Sequence, residues 1–195
     1  MLTRKQGAQF QERAELLDFL LEVSTVTGET LDLDRLLPAV ANFVNTVIPH
    51  EVFAILLYSE RNQGLQIRYA RGHRDEVVRS LVIPVGEGVT GIAAATRQAI
   101  LVNDVQSDPR YLPALDAVRS ELAVPMYARG KLVGVIDIQS TRKHAFSEQD
   151  SSLLRLLSRR VVDRQCAALP PGGAAESHLS NARATVARVL INPAA

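Results

Sequence analysis

Residues 121–139 read ELAVPMYARGKLVGVIDIQ, and this stretch decides the fold. Two β-rich runs, Glu121 to Ala128 and Lys131 to Gln139, flank the pair Arg129-Gly130. A turn between two such runs predicts a β-hairpin. In the second run Leu132, Gly134, Ile136 and Ile138 alternate with Val133, Val135 and Asp137. A strand turns successive side chains to opposite faces, so Asp137 lies across the sheet from the first set. A carboxylate there sits either near the sheet rim or inside a polar pocket.

Upstream, the run Val52 to Tyr58 reads as a central strand, Ser59 to Gly64 as a turn, and Leu65 to Ala70 as its partner. His73 to Arg79 reads as one or two helical turns. Leu81 to Val85 is a short strand, and Pro84 suggests a sheet edge. Gly86-Glu-Gly88 leads into a small-residue helix, Val89 to Thr96, then a strand at Ala99 to Val102 and a polar loop from Asn103 to Leu115. Helical periodicity marks Phe10 to Val26, about Asp34 to Ile48 (with Pro38 implying a start near Asp34 or a small kink), and Phe146 to Leu169. Ser147 and Asp150 fit a capping box at the start of the last. Pro170 to Gly173 is a linker signal, and Ala174 to Ile191 suggests one more helix. The order describes an α+β domain, an antiparallel sheet with helices packed on it. Residues 1–21 read as an N-terminal dimerisation helix, 22–168 as the domain and 169–195 as linker and tail.

Composition narrows the function. The 195 residues are 47% hydrophobic and 22% charged, the balance of a globular chain. Lys and Arg number 22 against 21 Asp and Glu, a net charge of +1, and Trp is absent. Nucleic-acid binding ordinarily needs a basic excess and stacking aromatics, so it is not expected. No apolar run approaches the length that spans a bilayer and no signal peptide opens the chain, so the expectation is a cytoplasmic location with no membrane partner. The single cysteine, Cys166, excludes an internal disulfide and a multi-cysteine zinc site.

Three stretches in this order, one ending in HEVFAILLYSE, then VGEGVTGIAAATRQAILVNDVQSDPRY, then ELAVPMYARGKLVGVIDIQSTRKHAFSEQDSSLLRLL, together resemble the GAF domain family over roughly Leu21 to Gln165. The resemblance implies about six antiparallel strands, terminal helices on one face, and a small-molecule pocket on the other roofed by Gly86 to Leu115. It also implies a sensor that commonly dimerises through its terminal helices, as the wide apolar stripe of Phe10 to Val26 independently suggests.

Gly86-x-Gly88-x-x-Gly91 has dinucleotide-fingerprint spacing, but no long βαβ unit follows. Either the N–H groups of Val89, Thr90 and Gly91 bind an anion or carbonyl oxygen, or the glycines only serve the turn. Asp104, Asp108 and Tyr111 either border the pocket or shape their loop. Glu121 either accepts hydrogen bonds from a ligand amino group or is solvated. Lys143, Phe146 and Asp150 partly match a cyclic-nucleotide-binding pattern, with a Lys143–Asp150 ion pair as the structural alternative. Arg155, Arg159, Arg160 and Arg164 read as the solvated side of their helix. His73 is the loose haem candidate, and no histidine pair has metal-ligand spacing.

The sulfoxide-reducing members of the family use at least two cysteines around the pocket, so the lone Cys166 leads to the expectation that this chain is not an enzyme. The leading reading is a sensory module binding a small polar or anionic ligand, working as a homodimer, with no metal or cofactor assigned. A ligand-free dimerisation module is the alternative, and cyclic-nucleotide binding a minor one.

Overall fold

In the computed structural model of the chain, residues 33–112 and 117–167 are described. The helices expected at Phe10 to Val26 and Ala174 to Ile191, and with them the homodimer contact, lie outside the described residues.

The described elements run α1 (Leu33–Val47), β1 (Val52–Ser59), β2 (Gly64–Arg71), α2 (Asp75–Ser80), β3 (Val82–Pro84), α3 (Gly88–Thr96), β4 (Ile100–Val102), β5 (Ser120–Ala128), β6 (Lys131–Ser140) and α4 (Glu148–Ala167). The strands form one antiparallel sheet in the order β3-β2-β1-β6-β5-β4. β3, with Pro84, is an edge, where a missing N–H costs no ladder bond. This is the α+β architecture that the sequence implies.

Strand alternation divides the interior in two. On one face Phe53 and Ile55 of β1, Leu122, Val124 and Met126 of β5, and Ile136 and Ile138 of β6 pack against Leu36, Leu37, Val40, Phe43 and Val44 of α1 and Leu154, Leu157, Val161 and Val162 of α4. On the other face Val52, Ala54 and Leu56 of β1, Ala123 of β5 and Val135 of β6 meet Val89, Ala93 and Ala94 of α3 and Val102, Val105 and Val118. The α3 layer is built of small residues, so it lies close to the sheet.

Pro38 lies inside α1, in its second turn. It denies the Asp34 carbonyl its helical partner, and the packing of Leu37 and Val40 on the sheet retains the helix across it. α4 starts at Glu148, two residues later than its apolar pattern suggests. Phe146 is buried in the core, and Ser147 caps the helix. The Ser147 N–H donates to Asp150 Oδ2 (2.8 Å), and the Asp150 N–H donates to Ser147 Oγ (3.3 Å). Ser147→Ala removes half of this reciprocal cap, and we expect a loss of about 1 kcal/mol, read from the urea midpoint at unchanged m-value.

The β5–β6 pairing carries an irregularity between Met126 and Tyr127. Tyr127 pairs with Leu132 but Met126 pairs with Gly134, so Val133 is the extra residue. Leu132 therefore packs on the α3 face and Val133 on the α1/α4 face, the reverse of the simple alternation. From Gly134 onward the register is shifted by one, setting Glu121 opposite Gln139 and Ala123 opposite Asp137. Among the described residues no helix is long and apolar enough to cross a membrane.

Candidate functional site

Because opposed residues of an antiparallel pair share a face, the shifted register brings Glu121, Asp137 and Gln139 together on the α3 side. Asp137 has Ala123 on one flank and Ala54 of β1 on the other. These two methyl groups leave room above the sheet. Thr90, in the first turn of α3, closes one side, and its hydroxyl donates to Glu121 Oε1 (3.3 Å). Ala54, Leu56, Ile67, Val77, Val82, Ile83, Val89 and Leu112 complete a mostly apolar pocket of about 450 Å3, with His73 and Ser80 also in its wall.

The polar floor is deeply buried: Glu121 and Asp137 are each 3% exposed, Thr90 5% and Gln139 6%. Desolvation, then the Asp137 charge, pushes the Glu121 carboxyl well above the usual range. Burial raises Asp137 from 3.8 to about 7, opposed by hydrogen bonds from Gln139 and Glu121. Burial thus biases both carboxyl groups towards their protonated forms. Gln139 Nε2 donates to Asp137 Oδ2 (2.7 Å). That bond fixes the amide, since only its NH2 group can donate to a carboxylate, and leaves Gln139 Oε1 buried without a donor. Both ring nitrogens of His73 are buried without a partner, and burial lowers the ring's proton affinity.

The residues singled out from sequence divide. Val89, Thr90 and Glu121 line this pocket. Gly91 does not. A Cβ there would stand 2.3 Å from the Pro84 carbonyl oxygen, and its own carbonyl accepts the Gly86 N–H, so it holds α3 against β3. Asp104 and Asp108 line a separate open depression with Asn103, Ser107, Arg110 and His144. Asp104 pairs with Lys143 (2.7 Å) and Asp108 with Arg110 (2.5 Å). Lys143 thus engages Asp104, and Asp150 serves the cap instead of the expected ion pair with Lys143. Tyr111 is half-buried against the α3-side cluster. Asp137, left open from sequence, lies inside the pocket, where His73, the loose candidate for a pocket histidine, and Gln139, which the sequence reading did not single out, join it. Among the described residues no three His, Cys, Asp or Glu side chains are grouped to hold a metal ion.

The sequence model of one family, the GAF domain, matches residues 30–162. The free methionine-R-sulfoxide reductase of Escherichia coli is 36% identical over 75 residues, 38% of this chain and 46% of that protein. The Nif-specific regulatory protein of Herbaspirillum seropedicae is 30% identical over 125 residues, 60% of this chain and 23% of that protein. The chain thus spans less than half the length of these curated relatives. Among solved structures, the free methionine-R-sulfoxide reductase of Neisseria meningitidis in complex with its substrate superposes with a TM-score of 0.67 at 25% identity, covering 80% of this chain and 92% of that one. These similarities overturn the expectation that the chain is not an enzyme. That expectation rested on counting cysteines, whereas proteins similar to it in sequence and fold are reductases. The buried acid pair is also the kind of perturbed group found in active sites.

Proposed function

The chain belongs to the GAF domain family, and from that premise we propose that its pocket binds a small amino-acid-type molecule whose occupancy the domain reports to a partner. The observation that carries this reading is the floor of Glu121, Asp137, Gln139 and Thr90 buried inside an apolar shell. Burying such groups is costly unless something satisfies them, and a few convergent polar groups in an apolar cavity of this size are the usual form of a ligand site. The reductase relatives supply the ligand class, free methionine sulfoxide, and the Nif-specific regulatory relative supports a reporting role. A homodimer through the terminal helices is the proposed route of the report.

The test is calorimetric titration with L-methionine sulfoxide. Saturable one-site binding is expected, and Ala54→Leu, which fills the space beside Asp137, should weaken it at least about 100-fold, roughly 3 kcal/mol. Heats no different from buffer up to roughly 10 mM, weaker than the affinity of about −4 kcal/mol at 1 mM, would remove the proposed ligand class.

A second reading, turnover of the bound sulfoxide, is favoured by the identity to reductases. Reducing a sulfoxide to a thioether takes two electrons and two protons and releases water. Glu121 and Asp137 can supply a proton to the departing oxygen. We assign the electrons to a thiol donor, and Cys166 lies in the last turn of α4, a helix whose Leu154, Leu157, Val161 and Val162 pack on the sheet face opposite the pocket. A dithiol from solution therefore has to reach the pocket. Incubation with dithiothreitol and L-methionine sulfoxide should then yield L-methionine above background, with Cys166→Ala unaffected and Glu121→Gln inactive. Background rate alone would eliminate this reading.

A further inference from the structure

Residues 73–81 supply one wall of the pocket through His73, Val77, Ser80 and Leu81. Among the described residues, their hydrogen bonds close within the segment. The Val78 N–H donates to the Arg74 carbonyl, the Leu81 N–H to the Val77 carbonyl and the Ser80 hydroxyl to the Glu76 carbonyl. The Arg79–Asp75 ion pair, 3.9 Å long and exposed on both sides, adds little. No residue of α2 is buried, and a helix of six residues is marginal without packing. The two ends of the segment are firmer. A Cβ at Gly72 would stand 2.5 Å from the Glu51 carbonyl oxygen, and φ there is +77°, so the chain turns against fixed backbone. At the other end β3 is paired to β2. The segment is a strap held at both ends and loosely seated between them.

His73 stands next to the Gly72 turn. Both of its ring nitrogens are buried, and neither has a partner among the described residues. A neutral imidazole has one donor and one acceptor, and here both go unused. Burying them so is costly, and an outward swing of the strap returns both to water. We propose that residues 73–81 are a movable wall of the pocket, shut while the His73 imidazole is neutral and released when that ring takes a proton, so that acid lets go of what the pocket holds. The consequence for a ligand rests on the reading of the cavity as a binding site; the movement itself does not.

The charged groups on the elements around the ring are Arg68 and Arg71 of β2, Arg74, Asp75, Glu76 and Arg79 of the strap, and Glu121 and Asp137 across the pocket. β1, β3 and α3 line the cavity without charge. Burial is what lowers the proton affinity of His73 below its ordinary 6.5. In the open strap the ring regains that ordinary value, so the open form binds the proton more readily than the closed one. Closure is therefore at full strength above about 6.5 and weakens as the pH falls below it, by up to about tenfold per unit until the closed ring also titrates. The floor has the opposite sign. Burial raises Glu121 and Asp137, so acid relieves them and favours the folded sheet. Opening of the strap in acid is thus separable from unfolding of the domain.

The experiment is hydrogen–deuterium exchange of the full chain without added ligand, read by peptide and corrected for the intrinsic pH dependence of amide exchange. Between about pH 7.5 and about pH 5.5, protection of residues 73–81 should fall by up to about tenfold, while β1, β5 and β6 keep or gain protection. In His73→Phe, which removes the unpartnered nitrogens, and in His73→Gln, which is polar but takes no proton, the strap should show no such response. Unchanged protection of 73–81 in the parent would overturn the inference. So would an equal loss in β1, β5 and β6, or an acid response that survives in either variant. No ligand enters these measurements, so their outcome is independent of whether methionine sulfoxide binds.

Discussion

Asp137→Asn is expected to make the protein more stable above neutral pH and to leave it unchanged in acid. Burial lifts the Asp137 carboxyl from 3.8 to about 7, while in the unfolded chain it ionises near its ordinary value. Between those limits the folded state retains a proton that the unfolded state has released. Stability therefore falls as the pH rises from about 4 to about 7, and levels off above. Asparagine carries no such penalty. Its carbonyl still accepts from Gln139 Nε2, and its NH2 group can donate to Glu121, which also loses a like-charged neighbour. Each pH unit in the window is worth up to about 1.4 kcal/mol. At about pH 8 we expect the variant to gain about 2–3 kcal/mol, a thermal midpoint raised by roughly 5 °C or more. Near pH 4 the two midpoints should coincide. A variant less stable than the parent at pH 8 would mean that burial does not penalise the Asp137 carboxylate in the folded protein.

Gly134→Ala is expected to be the most damaging single-methyl addition in the sheet. A Cβ at this position would stand 2.0 Å from the Leu56 carbonyl oxygen and 3.1 Å from both the Leu56 carbonyl carbon and Leu57 Cα. All three are backbone atoms of β1, so no side-chain rotation relieves the clash. β1 and β6 are the two central strands, and both have register irregularities close by, at Ile55/Leu56 and at Met126/Tyr127. Relief requires separating the strands where both interior clusters meet the sheet. We expect a loss of about 3 kcal/mol or more and a thermal midpoint lowered by roughly 10 °C. Gly130→Ala is the control for a glycine with open space around it, although its φ of +77° adds a smaller turn penalty. If Gly134→Ala unfolds no earlier than that control, the close approach of the two strands is wrong.

The element order was legible in the sequence because each piece announces itself locally. The Arg129-Gly130 turn, the alternation in β5 and β6, the capping residues Ser147 and Asp150, and Pro84 at an edge all act within a few residues of themselves. The pocket was only partly legible. Glu121 and Thr90 stand out as polar residues beside small ones. The place of Asp137 depends on pairing register, and the tight turn at Arg129-Gly130 by itself would set Glu121 opposite Ile138. That arrangement puts Glu121 and Asp137 on opposite faces of the sheet. Bulging of Val133 in β6 brings Asp137 to the face of Glu121, and Val133 has no feature that marks it as the extra residue. Gly134 beside it is the nearest signal, since a glycine inside a strand often accompanies a bulge. Gln139 was missed for a related reason, and His73 was read only as a loose haem candidate. Their place in the pocket comes from what lies above them in space, and α2 and α3 reach that place through contacts distant in sequence. Asp104 and Asp108, by contrast, belong to the same polar loop as Tyr111, yet bond Lys143 and Arg110 on the outside of it.

The sheet also acts as a partition between two kinds of evolutionary freedom. Alternate residues of β1, β5 and the length of β6 after Val133 belong to the helix-packed core, and Ala54, Leu56, Glu121, Asp137 and Gln139 between them line the pocket. Drift in the pocket set, at Ala54, Leu56 or Gln139, changes what can be bound without disturbing the helix-packed layer on the other face. Drift in the core set does the converse. Side-chain exchange on the pocket face alone can thus alter binding while the helix-packed face keeps the sheet in place.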